Sequence, residues 1–119
     1  MGKNKLKKFS QLETFQRVFQ PETDEVLNKD YHLKGRWAEA VFNNTNPIVL
    51  ELGCGKGEYS VNQAILDSGK NYIGVDIKGS RIWHGAKNAN DEELSNVGFI
   101  RTRIEFIDSF FAANEVEQI

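Results

Sequence analysis

The sequence predicts an α/β domain built on a parallel sheet, and three observations carry that prediction. Short apolar runs at 48–52, 72–75 and 97–100 alternate with segments of helical periodicity. Each run is bounded by turn-forming or polar residues, and the first opens into a glycine-rich loop. Strand and helix alternating at this spacing make successive strands parallel, joined by right-handed crossovers. Such a sheet binds ligands at the carboxyl ends of its strands.

Taken in order, residues 1 to about 30 are polar and irregular. Lys3, Lys5, Lys7 and Lys8 fall in a stretch without acids. A basic arm of this kind can neutralise phosphates with release of counterions; a solvated, disordered terminus is the plain alternative. Leu12, Phe15, Val18 and Phe19 stand at near-helical spacing and predict a short helix ending before Pro21. Residues 36–42 (RWAEAVF) read as another short helix, stopped by the turn-forming run 43–47.

The run IVLEL at 48–52 is nearly uninterrupted, as expected of a strand buried on both faces. Residues 59–67 form the next helix, with Val61, Ala64, Ile65 and Ser68 on one face and Gly69 as its stop. The strand at 72–75 ends at Asp76. A helix follows from Ser80 to about Asn90, with Ser80 as N-cap and Ile82, Ala86 and Ala89 facing inward. A third strand at 97–100 leads to a helix at 104–114 that buries Ile107, Phe110 and Phe111, and residues 115–119 begin a fourth strand. The organisation is thus a basic arm and lead-in (1–35) followed by the sheet-forming region (36–119).

With 39% hydrophobic and 27% charged residues the composition is that of a soluble globular domain. No apolar run approaches the roughly 20 residues that span a bilayer. The N-terminal lysines precede no apolar stretch, so a secretory signal is not expected and the expected location is cytoplasmic. One cysteine excludes an internal disulfide framework, and no metal site is expected.

The motif that carries chemistry is Glu51-Leu52-Gly53-Cys54-Gly55-Lys56-Gly57, between strand and helix. Gly53 and Gly55 let the backbone turn sharply and approach a ligand without a Cβ in the way. The helix that follows favours an anionic group at its start. Asp76, closing the next strand, is placed to accept both hydroxyls of a ribose. A dinucleotide fingerprint, G-x-G-x-x-G from Gly53, would need its third glycine where Glu58 stands. Glu51 would repel a pyrophosphate but attract an ammonium and a sulfonium. S-adenosylmethionine has both, with a carboxylate for the helix and a ribose for Asp76. A Walker-type loop has no match.

Other residues read more plainly. Cys54 fills a small slot between glycines, and a nucleophile there would need a base and an electropositive setting. His32 and His84 lack metal-ligand spacing. Trp37 is expected to pack its helix on the sheet, whereas Trp83 lies nearer the cofactor end. Lys78 and Arg81, at the mouth of the expected site, could touch RNA phosphates or remain solvated.

From Arg36 onward the chain resembles the bacterial tRNA (guanine-N7)-methyltransferases, on ELGCGKGEYS (51–60), NYIGVDIKGSRIWHGAK (71–87) and NVGFIRTR (96–103). The resemblance implies a Rossmann-like S-adenosylmethionine-dependent methyltransferase fold, truncated here after about three strands. It implies methyl transfer to N7 of a guanine in tRNA, with Glu51 at the methionine end of the cofactor, Asp76 at its ribose and the arm helping to hold tRNA. The expected cofactor-binding set is Glu51, Gly53, Gly55, Asp76 and Arg103.

Two departures stand out. Where relatives end the third strand in an acid facing the adenine amine, this chain has Arg103, which only donates. Adenine then relies on the Ile104 N–H or on Glu105. The family's catalytic aspartate lies in a Phe-Pro-Asp-Pro motif expected beyond Ile119, so this chain alone is expected to be inactive. Alternative functions are the same fold acting on another RNA, a protein or a small molecule, and a non-catalytic S-adenosylmethionine- or RNA-binding module.

Overall fold

The computed structural model of the protein describes residues 2–119. Five strands form one sheet, all pairs parallel: β1 (Val18–Phe19), β2 (Ile48–Leu52), β3 (Asn71–Asp76), β4 (Val97–Arg101) and β5 (Val116–Gln118), in the order β1-β4-β3-β2-β5. The helices are α1 (Gly2–Leu12), α2 (Trp37–Ala40), α3 (Glu58–Leu66) and α4 (Gly79–Asp91), with 3-10 turns at Thr23–Glu25 and Ile104–Ser109. From β2 the chain steps outward to β3 and β4, then returns to place β5 on the other side of β2. The strand order therefore reverses at β2, where α/β sheets open a ligand crevice.

Both sheet faces are buried, which is why the strands read as unbroken apolar runs. Val49, Tyr72, Val97 and Phe99 pack with Val61, Ile82, Ala86 and Leu12 on one side. Ile48, Leu50, Ile73, Val75 and Ile100 pack with Val26, Tyr31, Trp37 and Phe110 on the other. The split follows the period of two along each strand. Trp37 lies against the sheet as expected: it is fully buried, and its indole N–H donates to the Phe110 carbonyl at 2.6 Å.

The sheet includes a strand that the sequence did not suggest. The helix expected from Leu12 to Phe19 is absent: α1 ends at Leu12, and the chain runs back as β1 beside β4, pairing Val18 with Phe99 and Phe19 with Ile100. Arg17 makes the bend. It adopts φ 58, and its guanidinium donates to the carbonyls of Leu94 at 2.5 Å and Val97 at 3.3 Å. Upstream, the arm is helical rather than irregular. Of its basic side chains Lys7 is exposed and Lys8 half-buried, while those of Lys3 and Lys5 lie outside the described residues.

Three further expectations change. Instead of a helix over 104–114 there is a 3-10 turn at Ile104–Ser109, because tertiary partners take the groups a helix would need. The Ser109 carbonyl accepts from Tyr31 N–H, Phe110 accepts from Trp37, and the Glu115 carboxylate takes the amides of Gly35, Trp37 and Ala112. Phe110 is buried as expected, while Ile107 and Phe111 are half-buried. Helix α3 buries Ser60, Val61 and Ala64 and leaves Ile65 exposed, and Ser68 lies past its end, exposed in the turn; its start at Glu58 and the anchoring of Ser60 on Glu51 set that phase. It ends at Asp67, whose carboxylate accepts the Gly69 amide at 2.9 Å, with Gly69 in no left-handed conformation. Ser80 lies inside α4, whose N-cap is Lys78. The expected fourth strand is present as β5, pairing with β2 at Ile48 and Val49.

Candidate functional site

The site is assembled where β2, β3 and β4 end. After Leu52 the chain turns through Gly53 (φ 70), Gly55 (φ 58) and Gly57 (φ 72), all left-handed, a region that costs other residues roughly 1–2 kcal/mol. The three glycines serve two purposes. A Cβ on Gly53 or Gly55 would meet nothing within 4 Å, so open space lies over the first part of the loop. A Cβ on Gly57 would come within 2.7 Å of the Phe99 ring. The same ring closes on Gly74 of β3 and Gly85 of α4, where a Cβ would stand 2.9 and 2.7 Å away. Gly57, Gly74 and Gly85 thus form a socket for Phe99 that locks loop, strand and helix together. Gly53 and Gly55 are left facing outward.

Asp76 ties the site together. It is 8% exposed, and its carboxylate accepts the Gly55 amide and the Lys78 amide, each at 2.9 Å. The first bond fixes the loop to the end of β3 and the second starts α4. A carboxylate offers about four acceptor positions, so both oxygens retain capacity for a ligand. Next to it the Thr102 amide donates to the Asp76 carbonyl at 3.1 Å, drawing the segment after β4 alongside.

Between these segments lies a cleft of about 530 Å³ lined by Gly53, Asp76, Ile77, Thr102, Arg103, Ile104 and Glu105. That is within the size range of small-molecule sites. Of the expected residues the cleft brings together Gly53, Asp76 and Arg103, and Gly55 joins them through Asp76. Glu51 does not line it. Its carboxylate sits half-buried beneath the loop and accepts from the Ser60 hydroxyl at 2.7 Å. Ile77, Thr102 and Ser60 escaped the sequence reading. Ile77 had a usable signal: it follows the strand-end acid directly, and at 51% exposure it is an apolar side chain held open to solvent. Ile104, at 44%, faces the same cleft.

The loop's electrostatics are negative. Burial, followed by Asp76 and then Glu51, pushes the Cys54 thiol up to about 12. The thiol is therefore protonated at neutral pH, and Cys54 is a packing residue rather than a nucleophile. A field that opposes a thiolate also opposes a phosphate in the loop and favours a cation. At the rim, Arg103 donates through Nε and Nη2 to Oε2 of Glu105, at 3.2 and 2.9 Å.

Beside the cleft α1 packs on α4. The Trp83 indole donates to Gln11 Oε1 at 2.8 Å, and Lys8 Nζ lies 4.9 Å above its ring. Lys78 and Arg81 are exposed at the start of α4. Among the described residues no group of three or more His, Cys, Asp or Glu could hold a metal ion. Nor is any described helix long and apolar enough to cross a membrane.

The chain matches a methyltransferase family and named relatives within it. The family described as "Putative methyltransferase" matches residues 45–119. A tRNA (guanine-N(7)-)-methyltransferase of Christiangramia forsetii is 55% identical over 99% of this chain and 53% of its own length. One of Bacteroides fragilis is 49% identical over 100% of the chain and 47% of its own length. The chain thus spans about half the length of these curated relatives. Among solved structures, an antibiotic-related methyltransferase superposes with TM-score 0.53 at 25% identity, over 65% of this chain and 40% of that one.

Proposed function

We propose, from the premise that the chain belongs to this methyltransferase family, that it forms the cofactor-binding half of an enzyme transferring a methyl group from S-adenosylmethionine to N7 of a guanine in tRNA. The observation that carries the cofactor reading is the cleft at the strand ends, lined by Asp76 and by Gly53, which has open space above it. The tRNA reading is supported by what its relatives are named. Residues 36–119 supply the cofactor-binding domain and residues 1–35 a basic arm and lead-in.

The residues fit this cofactor by chemistry as well as by space. Asp76 would accept the ribose hydroxyls, and the backbone at Gly53 and Gly55 would lie against the ligand. Glu51, held by Ser60, would face the ammonium end and add its charge to that of Asp76 in favouring a cationic ligand. Arg103 would meet the base end of the cleft. When bound, the sulfonium supplies an electrophilic methyl carbon together with its own neutral leaving group. The protein's task is then to hold that carbon in line with an incoming nitrogen, and such positioning accounts for a large part of a displacement barrier. Guanine N7 already presents an in-plane lone pair, so these residues need not remove a proton.

The arm gives the tRNA reading its test. With Lys3, Lys5, Lys7 and Lys8 replaced by Gln, tRNA binding should weaken and the plot of log K against log salt should become shallower, by about 0.9 for each phosphate no longer neutralised. Affinity for the cofactor should not move. An unchanged salt slope would return the arm to a solvated helix with no part in RNA binding.

A further inference from the structure

Outside the cleft, three groups able to carry positive charge meet where α1, the glycine loop and α4 come together: Lys8, Lys56 and His84. None of them lines the cleft. We propose that these three side chains form a binding site for one backbone phosphate of the RNA, beside the glycine loop. This inference rests on the tRNA reading above and adds a grip on the folded body of the chain to that of the arm.

The packing around Trp83 sets the groups in place. Its indole donates to Gln11 Oε1 at 2.8 Å and carries Lys8 Nζ 4.9 Å over the ring, so α1 is fastened to α4 with the ammonium held on that face. The Trp83 and His84 rings stand 5.1 Å apart and nearly perpendicular, which puts the imidazole next to the indole that holds Lys8. From the loop, the Lys56 backbone presses on α4 one residue beyond His84: a Cβ on Gly85 would lie 2.8 Å from the Lys56 carbonyl oxygen. Lys56 and His84 are exposed and Lys8 half-buried, so an anion can reach all three.

Positive charge is gathered here without being neutralised. Among the described residues no carboxylate lies within ion-pair distance of Lys8, Lys56 or His84. The charged groups around His84 are Lys8 from α1, Lys56 from the loop and Glu58 from the start of α3. Along α4 itself, Arg81 lies exposed one turn back, and Lys87 one turn on is taken by Asp91 at 2.6 Å. Partial burial, then Lys8 and Lys56, hold the imidazole below its ordinary value, against the pull of Glu58. The free ring is therefore neutral at neutral pH. A phosphate among these groups accepts from both ammonium groups and favours the charged ring, so His84 takes up a proton as the anion binds.

Binding of tRNA, followed against salt and against pH, tests the site, with S-adenosylhomocysteine binding as the control. Lys56→Gln should weaken tRNA binding severalfold and make the slope of log K against log salt shallower by about 0.9, for one phosphate no longer neutralised. The His84 ring is more basic with the phosphate bound than without it. Affinity of the unaltered chain should therefore rise as the pH falls below neutrality, and level off once the free ring is also protonated. His84→Gln should abolish that rise and leave tRNA binding at alkaline pH unchanged. Neither change should move the affinity for S-adenosylhomocysteine, since neither side chain lines the cleft. An unaltered salt slope in Lys56→Gln, or the same rise with falling pH in His84→Gln, would overturn the site while leaving the tRNA reading intact. A parallel loss of S-adenosylhomocysteine binding would also overturn it, because the residues would then be supporting the loop. Absence of salt-dependent tRNA binding by the unaltered chain would defeat both.

Discussion

Replacing Asp76 with Ala is expected to cost about 1.5–3 kcal/mol of cofactor affinity, the scale of charge-assisted hydrogen bonds. That is a rise in Kd of roughly one to two factors of ten. The same carboxylate accepts the amides of Gly55 and Lys78, so the loop and the start of α4 should loosen as well. Asp76→Asn separates the two roles in part: its amide oxygen can still accept one of the two backbone N–H groups while its NH2 opposes the other, and the charge presented to the ligand is gone. Calorimetry should show both variants weakened, and both should also lose thermal stability, since each leaves at least one of the two amides without its acceptor. An Asp76→Ala variant that binds S-adenosylhomocysteine like the unaltered chain would remove Asp76 from the site.

A large effect on folding is expected at Gly85. On an ordinary helix Gly→Ala stabilises by up to about 1 kcal/mol. Here the added methyl would stand 2.7 Å from the Phe99 ring and 2.8 Å from the Lys56 carbonyl oxygen, a backbone atom with no rotamer to escape into. Overpacking of this kind typically costs about 1–3 kcal/mol, so the net change should be destabilising despite the gain in helix propensity. Adding Phe99→Leu to Gly85→Ala should recover part of the loss, because the shorter side chain empties the socket. Gly69→Ala is the control: its Cβ would approach only the Asp67 carboxylate, at 3.2 Å, and the change should stay within about 0.5 kcal/mol. Denaturation midpoints measure all three. Gly85→Ala at or above the unaltered stability would show that the socket is looser than its distances imply.

The parts of the molecule legible in the sequence are those fixed by local pattern. β2, β3 and β4 are buried on both faces, so their apolar runs announce them, and the loop glycines and Asp76 follow from their places at strand ends. What escaped depends on contacts distant in sequence. Val18 and Phe19 fit a helical face equally well; their pairing with β4 is decided by Arg17 reaching Leu94 and Val97. Residues 104–114 have helical periodicity, but Trp37, Tyr31 and Glu115 claim their backbone groups first. Within the site, the glycine pattern alone could not tell that Gly53 and Gly55 face open space while Gly57 packs on Phe99. Glu105, by contrast, was already weighed from the sequence, and the turn after β4 brings it to the same cleft as Arg103.

The central claim is that the cleft between Gly53, Asp76 and Glu105 holds S-adenosylmethionine. Backbone amide shifts of the labelled chain, followed during titration with the cofactor and separately with NAD, test it most directly. Saturable shifts are expected at Gly53, Gly55, Ile77 and residues 102–105 with S-adenosylmethionine, and none of comparable size with NAD. Shifts confined to other parts of the sheet, or the same response to NAD at lower concentration, would contradict the claim.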